Sequence, residues 1–250
     1  MHVHVTWLAQ GGLLFELQNG MRIMVDPYLS DYVEKNENPK LKRQVPVDER
    51  FLHQDIDVLV LTHIHTDHAD PDTLRVLFQQ KKRMHILSSR SVWEAYRGKR
   101  PEDSNAVAFD PECEFTIGKA VFCSVYAVHS DPSAIGIWFE ADGVRVYVSG
   151  DTIYHPRIGR QMSGKVDLMF VCINGMGNNV NAVDAARITE EIRPAIAVPI
   201  HWDLLPGYMA DPKEYTSLVQ NKGISAVIMQ EYSRYAISAV KGGWVLHEDN

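Results

Sequence analysis

Cysteine is scarce in this chain: 250 residues carry three, Cys113, Cys123 and Cys172. They cannot all pair, and none stands at C-x-x-C spacing, so the expectation is reduced, buried thiols in a cytoplasmic protein. Long hydrophobic runs are missing too, and no stretch approaches the roughly 20 apolar residues that cross a bilayer. The opening Met1-His2-Val3-His4-Val5-Thr6-Trp7 lacks a basic segment followed by an apolar one, so no secretory leader is expected. Positive charge is in deficit: 25 Lys and Arg against 32 Asp and Glu give a net charge of -7. That balance argues against a broad nucleic-acid-binding face. Neither nucleic acid nor membrane is expected as a partner. A small-molecule substrate is, and a homo-oligomer is compatible with the chain. Low-complexity segments, short repeats and linkers are absent, which points to a single domain over residues 1–250.

What remains is an ordinary globular composition, 45% hydrophobic and 23% charged. Strands are expected at 4–8, 13–17 and 21–25, with Gly11-Gly12 and Asn19-Gly20 as turns. Residues 30–55 are polar and contain Pro39 and Pro46; a long excursion of this kind is often functional. The apolar run 56–61 reads as a buried strand. A helix follows at 71–80, with Asp70 as cap and Pro71 at its first position. A strand at 84–87 and a helix at 89–98 complete the first half. Further strands are expected at 106–109, 114–117, 120–128, 134–140 and 144–148. Helices near 154–162, 182–192 and 212–220 then alternate with strands at 166–172 and 195–200, and late strands lie near 226–228 and 235–238. Each half opens on strands and closes on strand-helix alternation. The simplest packing is an α+β fold, a four-layer αββα sandwich.

Directly after the run 56–61 stands Thr62-His63-Ile64-His65-Thr66-Asp67-His68. Three imidazoles and a carboxylate in six residues, at the C-terminal end of a buried strand, have the chemistry and the place of a metal site. His129, Asp151 and His201 stand at the same end of three later strands. Singly, each reads as an ordinary loop residue, and Asp151 as a turn or cap. Together with His63, His65, Asp67 and His68 they make seven ligands, enough for two metals that each keep an open position. His2, His4, His53, His85 and His247 show no such pattern. His155, close to Asp151, is a candidate for a supporting contact or for a contact with substrate.

These residues resemble the metallo-β-lactamase superfamily, whose H-x-H-x-D-H loop matches His63–His68 and whose later ligands match His129, Asp151 and His201 in order. Asp26 matches in the opening strands. The resemblance implies that His63, His65 and His129 hold one metal, that Asp67, His68 and His201 hold the other, and that Asp151 bridges. Within the superfamily the chain is most similar to the L-ascorbate 6-phosphate lactonase branch. The segments that carry this are Trp7-Leu8-Ala9-Gln10-Gly11-Gly12-Leu13, Asp67-His68-Ala69-Asp70, Ser149-Gly150-Asp151-Thr152-Ile153-Tyr154 and Pro199-Ile200-His201-Trp202-Asp203. The chain departs from that branch at His129, which favours a second metal here.

The implied activity is that of a metal-dependent hydrolase, a lactonase opening a small polar lactone, phosphorylated or not. One or two divalent ions are expected, zinc or manganese first. Such an ion lowers the pKa of a water toward neutrality, and the hydroxide attacks the ring carbonyl. Asp67 is the expected catalytic residue, orienting the nucleophile or shuttling its proton. The alternatives are a metal-dependent phosphodiesterase and a non-catalytic metal-dependent sensor. The loop Asn174-Gly175-Met176-Gly177-Asn178-Asn179 precedes the helix at Ala182 and reads either as an anion pocket or as a tight capped loop. Asn178, Asn179, Tyr154 and Trp202 are the candidate substrate contacts.

Overall fold

Turn chemistry and alternation set the opening meander. In the computed structural model, which describes residues 2–80 and 83–249, β1 (His2–Trp7), β2 (Leu13–Glu16) and β3 (Arg22–Val25) pair antiparallel. Gly20, at φ 83°, closes the second turn. The excursion after β3 holds a short helix, α1 (Tyr32–Asn36), which the sequence does not announce. It leads to β4 (Val58–Leu61), which lies parallel to β3. Helix α2 (Pro71–Leu77) is capped as expected, Asp70 accepting from the Asp72 amide with Pro71 at the start. Strand β5 (His85–Ser88), helix α3 (Arg90–Ala95) and strand β6 (Asn105–Ala108) follow. The strands extend the parallel part of the sheet.

The second sheet opens with a meander of β7 (Glu114–Ile117), β8 (Ala120–Tyr126), β9 (Ile135–Ala141) and β10 (Val144–Val148). Parallel strands β11 (Leu168–Cys172), β12 (Ile196–Ile200) and β13 (Ser225–Ala226) are added across α4 (Pro156–Met162), α5 (Ala182–Ile192) and α6 (Pro212–Gln220). The chain then returns to the first sheet: β14 (Arg234–Val240) pairs with β1, and β15 (Gly243–Glu248) with β14. The orders are β15-β14-β1-β2-β3-β4-β5-β6 and β13-β12-β11-β10-β9-β8-β7.

Three apolar clusters fix four layers. One lies between the sheets, where Phe15 packs edge-on to Phe139 and Phe170 at 5.0 and 5.7 Å. A second packs Leu74 and Leu77 of α2 and Val92 of α3 on the outer face of the first sheet. The third packs Ile158, Ile188, Ile192, Tyr215 and Val219 of α4, α5 and α6 on the outer face of the second. This is the αββα sandwich that the element order predicts. The cysteines differ from expectation: all are free, but Cys172 alone is buried, and Cys113 is exposed on the turn before β7. The C-terminal ends of β3, β4, β8, β10, β11 and β12 meet at one rim, and every candidate ligand stands there.

Candidate metal centre

Sharp turns deliver the side chains. His63 through His68 follow β4 in a loop closed by the His68 and Ala69 amides on the His65 carbonyl, at 3.0 and 2.8 Å. Gly150, at φ 58°, turns the chain after β10, where a side chain would meet the Ile135 carbonyl at 2.7 Å, and so aims Asp151 inward. His201 adopts φ 59° after β12, held by its amide bonding the Gln10 carbonyl at 2.9 Å. Ala9, Gln10, Asp26 and Asn178 also lie at positive φ beside the centre, a concentration of backbone strain typical of functional sites.

The rings are sorted by their outer nitrogens. His63 Nδ1 meets Thr62 Oγ1 at 3.0 Å, His68 Nδ1 donates to Asp26 Oδ2 at 2.8 Å, and His129 Nδ1 donates to the Asn178 carbonyl at 3.2 Å. His201 Nδ1 pairs with the Asn174 amide at 2.9 Å. Each of these rings turns Nε2 to the centre. His65 is reversed: Nε2 meets Ser130 Oγ at 3.1 Å, and Nδ1 faces inward. For His68 and His129 the outer partner is an acceptor, which puts the proton on Nδ1 and leaves Nε2 free to ligate.

The inner atoms form two sets. His65 Nδ1 lies 3.1 Å from both His63 Nε2 and His129 Nε2. His201 Nε2 lies 3.1 Å from His68 Nε2 and 3.4 Å from Asp67 Oδ2. Asp151 stands between them. Its Oδ2 is 3.9 and 3.8 Å from His63 and His129, and its Oδ1 is 3.3 and 3.5 Å from His68 and His201. Donors about 2.1 Å from a tetrahedral ion lie roughly 3.4 Å apart, so these spacings suit two cations sharing one carboxylate. Asp151 Oδ1 is buried without a hydrogen-bond partner despite those two nitrogens, as expected of groups that share a cation rather than a proton. The donor set therefore fits a pair of divalent ions.

Electrostatics agree. Burial opposes charge on Asp151, yet His201, His68 and His63 hold its carboxyl well below the usual carboxylate range. Asp67 behaves alike: burial opposes its ionisation, and His68 and His201 overcome it. Burial, reinforced by His68, lowers His63 and keeps it neutral, as a ligand must be. His68 is raised because Asp151, Asp67 and Asp26 outweigh its burial. The carboxylates here demand positive charge.

The seven expected ligands thus converge. The expected substrate contacts divide. Asn179 lines the cavity above the centre, but its Nδ2 donates to Asp151 Oδ2 at 2.8 Å. Asn178 acts through its carbonyl on His129. Tyr154 and Trp202 do not line the cavity. Tyr154 donates to Glu191 Oε1 at 2.6 Å beneath the Arg187 guanidinium, and Trp202 packs on Trp7 at 5.5 Å in the core. Of the two readings of the loop, the capped one is seen at Asn181, whose Oδ1 accepts from the Asp184 amide at the start of α5. His155 caps α4 instead, its Nδ1 accepting from the Arg157 amide at 3.2 Å.

Residues that sequence reasoning left without a role complete the surroundings. Asp26 also accepts from the Thr62 amide at 2.7 Å, and Gln10 Nε2 donates to Asp67 Oδ2 at 2.8 Å. Asp131 accepts from the Ile64 amide at 3.0 Å, between two ligands. Asp26 and Gln10 lie in segments that carry the family resemblance, which gives neither a contact, and Asp131 is one polar residue in the connection between β8 and β9.

A model of the beta-lactamase superfamily domain matches residues 21–202 of this chain. A UPF0173 metal-dependent hydrolase from Pyrococcus furiosus is 27% identical over 227 residues, covering 88% of this chain and 93% of its own. Igni18, a metallo hydrolase from the hyperthermophilic archaeon Ignicoccus hospitalis, superposes with a TM-score of 0.79 at 18% identity, over 96% of this chain and 100% of that one. The metallo-beta-lactamase fold protein YhfI from Bacillus subtilis does so at 0.73 and 16%, over 94% and 100%. The structural likenesses are likenesses of fold.

Proposed function

The chain belongs to the beta-lactamase superfamily as a metal-dependent hydrolase, and from that premise we propose that the bond it breaks is the ring ester of a small lactone. The observation that carries the reading is the divided donor set: His63, His65 and His129 on one side, Asp67, His68 and His201 on the other, and Asp151 between. The segments that resemble the lactonase branch supply Gln10, Asp67, Asp151 and His201, all at this centre. Bound there, divalent ions supply Lewis acidity, making water a better nucleophile near pH 7 and the carbonyl a better electrophile.

The chain's own groups do the rest. Asp67 is ionised and less buried than Asp151. Gln10 occupies one face of its Oδ2, which leaves the carboxylate able to take a proton from the attacking water. That proton is then available to the ring oxygen as the ester opens. Asn179 fixes Asp151, and Asp26 fixes His68, so neither group reorganises during the reaction.

Metal-depleted protein reloaded separately with zinc and manganese, and assayed on lactones and phosphodiesters, tests the reading. Ring opening that depends on the ion and vanishes in His65→Ala supports it. Phosphodiester cleavage with inert lactones replaces it with the phosphodiesterase reading. Tight ion binding with no turnover of either class points to a sensor.

A further inference from the structure

The cavity over the centre, about 310 Å³, has a wall that ligand chemistry does not explain. Val33 of α1, Leu41, Met176, Leu205 and Tyr208 line it. The wall is preformed: Val33, Leu205 and Tyr28 share a small apolar cluster against which Leu41 and Tyr208 pack. The Gln44 amide ties the two stretches together through the Leu204 carbonyl at 2.9 Å. Among the described residues, the Asp and Glu side chains that line the cavity are Asp67, Asp151 and Glu37, and neither lysine nor arginine lines it. Glu37 stands at the rim, its Oε1 accepting from Thr66 Oγ1 at 2.5 Å.

The nearby cations are committed elsewhere or lie outside. Arg43 is buried, donating to the carbonyls of Tyr28, Ser30 and Val45 and to the Tyr232 hydroxyl. Lys35 pairs with Asp31 at 3.5 Å, and Lys40 and Lys42 are exposed and outside the lining. Asp67 and Asp151 are taken up by the metal centre, so the charge left to a group seated on this wall is Glu37; a phosphate or carboxylate there would lose its water with no lysine or arginine to replace it and would face that carboxylate. An alkyl or aryl group would displace water from apolar surface, and a terminal ammonium would meet Glu37.

We propose that the substrate carries an apolar group beside its scissile ring, uncharged or ending in a cation, and that anionic substrates, phosphorylated ones included, are selected against. The inference rests on the lactone reading for the ring alone; the wall's selectivity is independent of the bond broken.

The experiment separates the two. Unreactive lactams with a hexyl, aminohexyl, carboxyhexyl or phosphohexyl substituent are titrated into the metal-loaded protein by calorimetry. The hexyl and aminohexyl compounds should bind about tenfold tighter than the two anionic ones. In Glu37→Lys, an exposed position that should fold, the gap should close about tenfold for the anionic pair. Anionic lactams that bind as tightly as hexyl overturn the proposal, as does a set that fails to bind at millimolar concentration. An unchanged order in Glu37→Lys removes Glu37 from it. The matched lactones are assayed for opening in parallel. Discrimination among lactams with no lactone opened sinks the lactone reading and leaves the wall standing. Opening without charge preference does the reverse.

Discussion

At the scale of single residues, the centre depends on atoms one step outside the ligands. Gly11 lies against His68, so a β-carbon there would fall 2.7 Å from His68 Cε1. The ring cannot move away, because Asp26 holds its Nδ1. Gly11→Ala should therefore fold but lose about 10–100-fold in affinity for the ion of the Asp67–His68–His201 set, measured by competition with a chelator. Asp26→Asn removes the charged acceptor behind the same ring. It should weaken that ion by a similar factor, with the other ion retained. The seven ligands could be read from the sequence because dense imidazole and carboxylate at strand ends is a chemical signature. The contacts that Asp26, Gln10 and Asn174 make could not. A lone Asp, Gln or Asn at a strand end is indistinguishable from a turn residue until the partner ring is in place.

At the scale of elements, the loop of residues 174–179 is the structural centre of the rim. It touches ligands from three other connections: Asn174 reaches His201, Asn178 reaches His129 and Asn179 reaches Asp151. The two side-chain contacts make different predictions. Asn174→Ala should weaken one ion about tenfold, since His201 serves a single set. Asn179→Ala should weaken both, because Asp151 lies between the sets. The number of ions retained after dialysis against a chelator distinguishes the outcomes; equal losses in the two variants would refute the division. Sequence reading placed this loop at the site but gave it the substrate. Its glycines and asparagines fit either role, and only the packed structure shows their contacts with the ligands. Regular elements were more legible. The bounds of α5 and α6 coincide with expectation, whereas α1 and β15 went unseen. Five residues are too few to show a helical period, and β15 pairs only with β14, another late strand.

At the scale of the molecule, the two ends of the sandwich are held by different means. Opposite the rim, Asp167 precedes β11 and takes Arg145 in a two-pronged pair, at 2.9 Å to Nε and 2.7 Å to Nη2. Burial opposes its charge, but the Arg145 guanidinium and amide hold its carboxyl below the usual carboxylate range. A lowered folded-state pKa means stability that is present above the unfolded value near 4 and lost as pH falls through the folded one. Asp167→Asn should cost about 1–2 kcal/mol at pH 7, reduced because Arg145 is partly solvated. The melting-temperature gap from the parent should begin to narrow as pH falls below about 4. A gap that does not narrow at all as pH falls would contradict this origin. Removal of the ions acts at the other end. At about a hundredfold excess over its Kd, one bound ion adds roughly 2.7 kcal/mol, or about 5–10 °C in a chain of this size. The two effects should add, since the sites are distant.

The centre draws His63, His65, Asp67 and His68 from the first sheet and His129, Asp151 and His201 from the second. All three cysteines are free, so no disulfide joins the sheets. Coordination would then act as a reversible cross-link between residues far apart in the chain, made and broken by metal availability instead of redox state. Hydrogen exchange would report it directly. The Ile135 amide, bonded to the Thr62 carbonyl across the two sheets at 3.1 Å, should exchange only on global unfolding when ions are present and by local fraying when they are chelated. The Asp167 amide at the far end should show no such dependence.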